Sequence, residues 1–208
     1  RNATPTGRYR VKRGIKNIKE LGQIVQFNGM KKMSIWSGEE CNRFIGSDGT
    51  LFAPFLGPAD KLGVFSPTIC RSLEPYHVGN IKYKGLESYT YSLDFGDMTE
   101  DPKFRCFCTT PDNCLKKGVH DMTNCIGVPI IASLPHFYLA HPDYQNEIYG
   151  MNPVKEKHEM YFIFEPTTAT PLYGRTRIQL SISIHPIESV DLMKEVPTVI
   201  FPIFWIDE

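Results

Sequence analysis

All six cysteines of this 208-residue chain fall within a window of 85 residues that runs from Cys41 to Cys125. An even number of cysteines is typical of secreted chains, in which thiols pair as disulfides. Asn2-Ala3-Thr4 is an acceptor sequence for N-linked glycan, which is added in the secretory pathway. Together these features predict a disulfide-linked fold in an oxidising compartment, with glycan on Asn2.

Local geometry narrows the 15 pairings that six cysteines allow. On a strand, Cys106 and Cys108 would lie about 6.5 Å apart between Cα atoms on one face, an awkward geometry for a mutual bridge. Cys108 and Cys114 enclose Pro111-Asp112-Asn113, which favours a turn that brings the two together. We therefore predict a Cys108–Cys114 disulfide, with Cys106 bonded to a distant partner, and the partners of Cys41, Cys70 and Cys125 stay open.

The alternative is a zinc site built from Cys106, Cys108, Cys114, Cys125 and His120. Structural zinc sites usually use cysteine pairs separated by two to four residues, and Cys106-Phe107-Cys108 has a single intervening residue. Disulfides are therefore the preferred interpretation. We predict no metal and no cofactor.

The charge balance excludes two classes of partner. Lys and Arg number 23, as do Asp and Glu, so the chain has no electrostatic footprint for nucleic acid or an anionic membrane surface.

The longest apolar stretch of the chain, residues 196–206, contains Pro202 and is far shorter than the ~20 residues of a membrane span. We therefore expect this chain to be an excised part of a longer secreted or membrane protein.

Alternating patterns predict strands. Asn28-Gly29 between two apolar runs predicts a hairpin turn, and residues 88–95, 160–165 and 175–185 alternate with a period of two. Helical signals are short, at residues 135–140 and 189–195. The sequence predicts a mainly β (α+β) fold with an antiparallel sheet, closed or sandwiched, and a single domain over residues 1–208.

Catalytic motifs are weak. Asp94-Phe95-Gly96 matches the magnesium-binding triplet of protein kinases, but the other kinase motifs are missing, as are the nucleophile elbow and the zinc-protease helix. We expect Asp94, Asp97 and Glu100 to be solvated. The histidines are scattered singly, without an attached nucleophile, so we predict that the chain is not an enzyme; they are His77, His120, His136, His141, His158 and His185.

Several segments, in order along nearly the whole chain, resemble the class B scavenger receptor family, which includes fatty acid translocase and lysosomal integral membrane protein. The segments are Gly46-Ser47-Asp48-Gly49-Thr50, Phe52-Ala53-Pro54, Ile69-Cys70-Arg71-Ser72, Cys106-Phe107-Cys108, Leu134-Pro135-His136-Phe137, Gly150-Met151-Asn152-Pro153 before His158, and Pro202-Ile203-Phe204-Trp205. Within the family, residues 91–97, 136–138 and 196–198 are most similar to insect sensory neuron membrane proteins. Haemocyte scavenger receptors of insects share much of the pattern, and Ser47 departs from the commoner threonine.

The resemblance implies a two-pass plasma-membrane protein with a large extracellular, glycosylated ectodomain. That ectodomain would be an irregular antiparallel β-barrel with short helices, enclosing a lipid tunnel, and this chain would be its C-terminal half. The membrane anchors would lie in segments absent from this chain. The resemblance also implies the disulfides Cys41–Cys106 and Cys70–Cys125.

The function that this implies is a receptor that binds hydrophobic small molecules, such as fatty acids and lipid-derived pheromones. It would transfer them to the membrane, or to a co-receptor or ion channel, in insect olfaction. The alternative is a scavenger receptor for lipoproteins, apoptotic cells or pathogens. A secreted lipid hydrolase is a third interpretation, which the lack of a nucleophile motif disfavours.

The ligand path is suggested by two predicted strands, residues 160–165 and 175–185. If both belong to one barrel wall, the aliphatic face of residues 175–185 points inward and Arg177, Gln179 and Ser181 point outward. The side chains predicted to contact the ligand are Phe162, Phe164, Leu180 and Ile182.

Overall fold

The computed structural model describes residues 7–110 and 114–208, and it is mainly β with a few short helices. The expected glycan acceptor Asn2 and residues 111–113 lie outside the described residues. The strands are β1 (Tyr9–Val11), β2 (Ile24–Phe27), β3 (Val64–Ser66), β4 (Arg71–Leu73), β5 (Tyr76–Tyr83), β6 (Leu86–Leu93), β7 (Val119–Asp121), β8 (Ile130–Ser133), β9 (Met160–Glu165), β10 (Thr170–Arg175), β11 (Arg177–Ile184) and β12 (Val199–Asp207). The helices are α1 (Thr123–Ile126), α2 (Pro142–Asn146) and α3 (Lys155–His158), with 3₁₀ turns at Ile18–Glu20, Glu40–Asn42, Pro102–Phe107, Pro135–Phe137 and Asp191–Met193.

The chain forms two compact units, and neither is continuous in sequence. Unit 1 consists of Arg1–Leu93 and Tyr161–Gly174, and unit 2 consists of Asp94–Met160 and Arg175–Glu208. The chain therefore passes from one unit to the other three times. Of the helices in the described residues, none has the length and hydrophobicity that crossing a membrane requires.

In unit 1, the four-stranded sheet has the order β10-β9-β6-β5, and β1–β2 and β3–β4 form two antiparallel pairs. Asn28 and Gly29 form the predicted tight turn, with φ values of 49° and 82°. The predicted second strand of the hairpin does not form. Pairing after the turn stops at the Phe27–Met30 bridge, and β2 pairs with β1 instead.

The side chain of Asn42 explains why that second strand does not form. Its Oδ1 accepts the amides of Ile35 and Trp36 at 2.9 and 3.0 Å, and its Nδ2 donates to the Trp36 carbonyl at 2.7 Å. Asn42 is buried, so these bonds replace the ladder that a hairpin would have supplied. A short polar side chain thus folds the segment after Met30 into a compact loop.

Unit 2 contains an antiparallel sheet of order β12-β11-β8-β7. One residue, Gln179, lies opposite both Ser133 of β8 and Trp205 of β12. A bulge follows, because Leu180 pairs with Phe204 and Ser181 with Pro202. One core cluster of this unit consists of Val119, Ile131, Phe137, Ala140, Tyr144 and Ile200.

The predicted helices are shorter than the sequence indicated. The segment that begins at Pro135 makes one 3₁₀ turn and then leaves helical geometry, since His136, Phe137 and Leu139 all have positive φ. Helix α2 starts afresh at Pro142, a residue suited to the first helical position. Of the predicted segment 189–195, only the turn Asp191–Met193 is helical.

The prediction of a mainly β fold is confirmed. The closed barrel is not seen: in residues 7–110 and 114–208 the strands lie in four separate sheets with open strand order.

Candidate functional site

A cavity of about 500 Å³ lies in unit 1, within the range of ~300–1,000 Å³ typical of ligand pockets. Its lining mixes apolar and charged side chains. The apolar ones are Leu21, Leu51, Phe52, Ala53, Leu56 and Leu62, and the charged ones are Lys19, Glu20, Asp60 and Lys61.

Most of these charges are neutralised within the unit. The ammonium of Lys19 lies 2.9 Å from Oδ2 of Asp60, which also accepts the amide of Gly57 at 2.9 Å. The Gly57 amide, followed by Lys19, holds the pKa of Asp60 below its usual range, so this carboxylate is ionised and paired. Glu20 is bonded to Lys12 at 2.9 Å. Lys61 is the lining cation for which the described residues show no counter-ion.

A buried core adjoins this cavity and contains one of the predicted ligand contacts. Phe164 is 3% exposed and packs edge-on against Phe52 and Tyr91, with ring centroids 5.0 and 5.6 Å apart. Phe52 also lines the cavity, whereas Phe164 does not. Phe162 is partly buried and packs against the same core. Both phenylalanines therefore lie behind the cavity wall rather than on it.

Tyr91 places an unpaired polar atom in that core. The residue is fully buried, and its hydroxyl has no hydrogen-bond partner among the described residues. Burial, followed by the charges of Asp60 and Tyr89, raises the pKa of Tyr91 to about 12. Buried polar atoms are normally paired, so this hydroxyl is a candidate donor to a bound group.

The polar face of β11 is buried, contrary to the expectation that it lies outside. Arg177, Gln179 and Ser181 were expected outside, but they are at most 4% exposed. The aliphatic side chains of the opposite face, which include Leu180 and Ile182, are only partly buried. Period-two alternation is present as predicted, with the polar face covered by its own unit.

Hydrogen bonds account for the burial of Gln179 and Arg177, whereas Ser181 Oγ has no partner among the described residues. Oε1 of Gln179 accepts the amide of His136 at 2.9 Å, and its Nε2 donates to Ser133 Oγ at 3.2 Å. Arg177 donates from Nη1 to the carbonyls of Glu156 and Glu159 at 3.1 and 2.9 Å. The irregular segment 135–159 thus packs on this face, and β11 supplies the polar partners that its backbone requires.

Strand β12 extends the partly exposed apolar face of β11. Ile178, Leu180 and Ile182 lie directly opposite Ile206, Phe204 and Phe201. Directly opposed residues share one face of an antiparallel sheet. The exposed fractions of Phe201, Phe204 and Ile206 are 46, 50 and 43%. We call this surface the β11–β12 apolar face; its members are Ile178, Leu180, Ile182, Ile184, Phe201, Phe204 and Ile206.

The sequence did not reveal which histidine partners His136. The ring of His136 stacks on His158, with centroids 4.3 Å apart and planes 13° apart. His158 also contacts the Trp205 ring edge-on at 6.0 Å. The motifs around His136 and His158 are 22 residues apart in sequence, and only the packing of 135–159 on β11 brings them together.

One serine–histidine contact was also missed. Ser183 Oγ lies 2.8 Å from His185 Nε2, beside a cavity of about 450 Å³ in unit 2. Ser183 is in β11 and His185 is the residue that follows the end of the strand, and both side chains are exposed. In the described part of the chain no carboxylate is bonded to the other nitrogen of His185, so the third member of a catalytic triad has no counterpart.

The acidic residues near the kinase-like triplet serve as turn caps. Asp94 Oδ1 accepts the amide of Gly96 at 2.8 Å, and Asp97 Oδ1 accepts the amide of Thr99 at 3.0 Å. Such bonds are typical of aspartate in turns. Within the described residues, no group of three or more potential ligands is arranged to hold a metal ion.

All six cysteines are in disulfides, and the structure joins Cys108 to Cys114 with Cα atoms 4.7 Å apart. Cys41, Cys70, Cys106 and Cys125 are bonded as well. Oxidised sulfurs are not available as zinc ligands, which removes the cysteines from the alternative metal site.

A mainly β chain with three disulfides and an apolar sheet face has the features of the receptor family that the sequence resembles. The sequence matches the CD36 family over residues 1–208, and the chain belongs to that family. The resemblance to class B scavenger receptors is therefore confirmed.

Among individual relatives, the chain is similar to sensory neuron membrane protein 1 of several insects. It is 44% identical to that of Apis mellifera over 201 residues, which is 97% of this chain and 39% of the relative. Identity is 44% over 214 residues with the Anopheles gambiae protein and 43% over 209 residues with that of Aedes aegypti, each covering 100% of this chain and 39% of the relative. The chain thus spans about two-fifths of the length of these relatives.

Proposed function

We propose that this chain is part of the extracellular ectodomain of an insect sensory receptor of the plasma membrane. The receptor binds hydrophobic ligands, such as fatty acids or lipid-derived pheromones, and passes them to the membrane, a co-receptor or an ion channel without chemical change. The observation that carries this proposal is the β11–β12 apolar face, which remains partly exposed although it is aliphatic and aromatic throughout.

An apolar sheet face of this kind is expected to pack against another part of the protein or a partner. Exposed contiguous apolar surface marks an interaction site, and an edge strand rich in apolar residues is prone to aggregation. Strand β12 is at the edge of its sheet in the described structure, and its relatives are more than twice as long as this chain. We propose that polypeptide outside residues 1–208 completes a β-barrel over this face and leaves a lipid tunnel, with this chain as the C-terminal half.

We further propose that residues 1–208 belong to one domain. Both units are assembled from two separate segments each, so neither can be excised as a continuous piece of chain. A single cooperative unfolding transition of the ectodomain supports this assignment, and two separable transitions contradict it.

On the proposed ligand path, Leu180 and Ile182 are the contacts that the apolar face supports directly. Phe162 and Phe164 contact the ligand only if the core around them opens, since Phe164 is packed against Phe52 and Tyr91. Burying a 16-carbon chain contributes about 12 kcal/mol at ~0.8 kcal/mol per methylene. Association offsets several kcal/mol of this, which corresponds to micromolar affinity.

The cavity of unit 1 is a second candidate for the same class of ligand. Its apolar lining suits a hydrocarbon, and Lys61 offers an uncompensated charge for a carboxylate. A Lys61→Gln variant would then weaken binding of a fatty acid but not of the corresponding alcohol.

The proposal is tested with the complete ectodomain and a fluorescent fatty acid. We expect Leu180→Trp and Ile182→Trp each to reduce ligand transfer to vesicles by about tenfold or more, because the larger side chain fills space on the path. The matched control is Leu192→Trp, a substitution at a residue that is 92% exposed and away from the sheet. Transfer unchanged in both test variants, with folding checked by circular dichroism, contradicts the lipid path; retained capture of lipoprotein particles would then favour the scavenger receptor.

A further inference from the structure

His136 and His158 are held by the same kind of hydrogen bond. Nδ1 of His136 accepts the backbone amide of Asn152 at 3.2 Å, and Nδ1 of His158 accepts the amide of Val154 at 2.8 Å. Their rings are stacked at 4.3 Å. Two histidines on different parts of the chain therefore fasten the two ends of one short backbone segment, residues 152–154.

Both bonds require an unprotonated nitrogen. A neutral imidazole has one donor and one acceptor, whereas a protonated imidazole has two donors and no acceptor. In this structure Nδ1 is the acceptor in both rings, which places the remaining proton of each on Nε2. Adding a proton at Nδ1 of either ring turns an N–H···N bond into two opposed donors, so the bond to Asn152 or to Val154 is lost.

The charged groups around His158 also oppose its protonation. Arg177 of β11 is 4% exposed and reaches the backbone on both sides of His158, at the carbonyls of Glu156 and Glu159. Lys157 of α3 adds a second positive charge. The nearby carboxylate on β12, Asp207, is already shared by Arg175 and Arg177 at 2.7 and 3.4 Å. Burial first, and then His136, Arg177 and Lys157, lower the pKa of His158.

We propose that His136 and His158 form an acid-sensitive latch on residues 152–154: His136 ties Asn152 to the turn after β8, and His158 holds the amide of Val154, the N-cap of α3. With both rings neutral, the latch is closed. Protonation removes the acceptor at Nδ1 and places like charges in stacked rings beside a buried arginine, and the segment is released. This inference concerns regulation of the fold and does not depend on the proposed lipid function.

The direction of the pH effect follows from linkage. Because the pKa of His158 is lowered on folding, the latch contributes its full stability above the unfolded pKa of about 6.5, and this is lost as pH falls through the folded value. The segment should therefore be closed at neutral pH and open in an acidified compartment.

Hydrogen–deuterium exchange of the complete ectodomain tests the latch at the two amides that it holds. Between pH 7.5 and pH 5, after correction for the intrinsic exchange rate, we expect protection of the Asn152 and Val154 amides to fall by about tenfold or more. Amides of β8, which pair within the sheet, serve as the internal reference and should keep their protection. Protection of Asn152 and Val154 that is unchanged at pH 5 overturns the proposal.

A variant whose hydrogen-bond acceptors do not titrate distinguishes loss of the latch from a general effect of acid on the fold. The double variant His136→Asn and His158→Asn offers a side-chain oxygen near each Nδ1 position, and we expect it to abolish most of the pH response. The matched control, His185→Asn, changes an exposed histidine that follows β11 and should respond like the parent protein. A double variant that opens at pH 5 as much as the parent protein contradicts the latch.

If the double variant does not hold the amides at pH 7.5, a measurement on the parent protein decides. Slow exchange of the carbon-bound imidazole hydrogen, read by mass spectrometry, reports protonation of His136 and His158 individually. Opening of residues 152–154 must follow the titration of one of these two rings. Opening that follows neither ring overturns the proposal.

Discussion

The side-chain amide of Gln179 on β11 donates to the hydroxyl of Ser133 on β8 at 3.2 Å, and its carbonyl accepts the amide of His136 at 2.9 Å. Gln179 is 1% exposed and Ser133 is fully buried. A buried amide that is paired at both ends stabilises its surroundings chiefly because its removal would leave polar partners unsatisfied. This glutamine therefore fixes the turn after β8 to the central strand of unit 2.

Replacing Gln179 with leucine should lower the free energy of unfolding by about 2–3 kcal/mol, since the amide of His136 would be buried without an acceptor. The matched control is Ser183→Ala, an exposed position on the same strand, where the change should stay within about 0.5 kcal/mol. Urea denaturation followed by circular dichroism measures both. Equal effects in the two variants would show that Gln179 has no special role.

Gly46→Ala should destabilise unit 1 severely, by about 3 kcal/mol or more. The residue has φ +76°, and an added Cβ would lie 1.9 Å from the carbonyl oxygen of Gly63, a backbone atom that cannot move aside cheaply. Gly29→Ala is the control, because its φ of +82° is equally unfavourable while no atom lies within 4 Å of the new Cβ. We expect about 1 kcal/mol there, and the difference between the two thermal midpoints isolates the steric term.

Removal of the Cys108–Cys114 disulfide, as the double serine variant, should cost about 2 kcal/mol, because the bond closes only a short loop. The two remaining disulfides are proposed as Cys41–Cys106 and Cys70–Cys125. Each would close a loop of roughly 60 residues and contribute about 4 kcal/mol in the chain-entropy description. Peptide mapping of the unreduced protein identifies the partners, and a fragment that links Cys41 to Cys70 would reject this pairing.

Asn2 should carry N-linked glycan in the native protein, since Asn2-Ala3-Thr4 fulfils the acceptor rule. Mass analysis of the N-terminal peptide before and after glycosidase treatment checks this. Treatment that leaves the peptide mass unchanged would contradict the prediction, and an Asn2→Gln variant supplies the unmodified standard.

The sequence by itself determined the local features of this protein. The alternating residues of β9 and β11 are strands, Asn28-Gly29 is a tight turn, and the cysteines are oxidised. Each of these depends on residues that are close along the chain, or on the oxidising compartment that the cysteine count and the glycan acceptor indicated. Family membership could likewise be inferred from motifs in their order.

Only the tertiary structure decided which face of β11 is interior. A period of two separates Arg177, Gln179 and Ser181 from Leu180 and Ile182, but it does not say what covers either face. The cover of the polar face is the backbone of residues 135–159, whose amides and carbonyls need partners that aliphatic side chains cannot supply. The stacking of His136 on His158 has the same origin. Contacts between residues distant in sequence depend on how the whole chain satisfies its buried polar groups, and no local pattern carries that information.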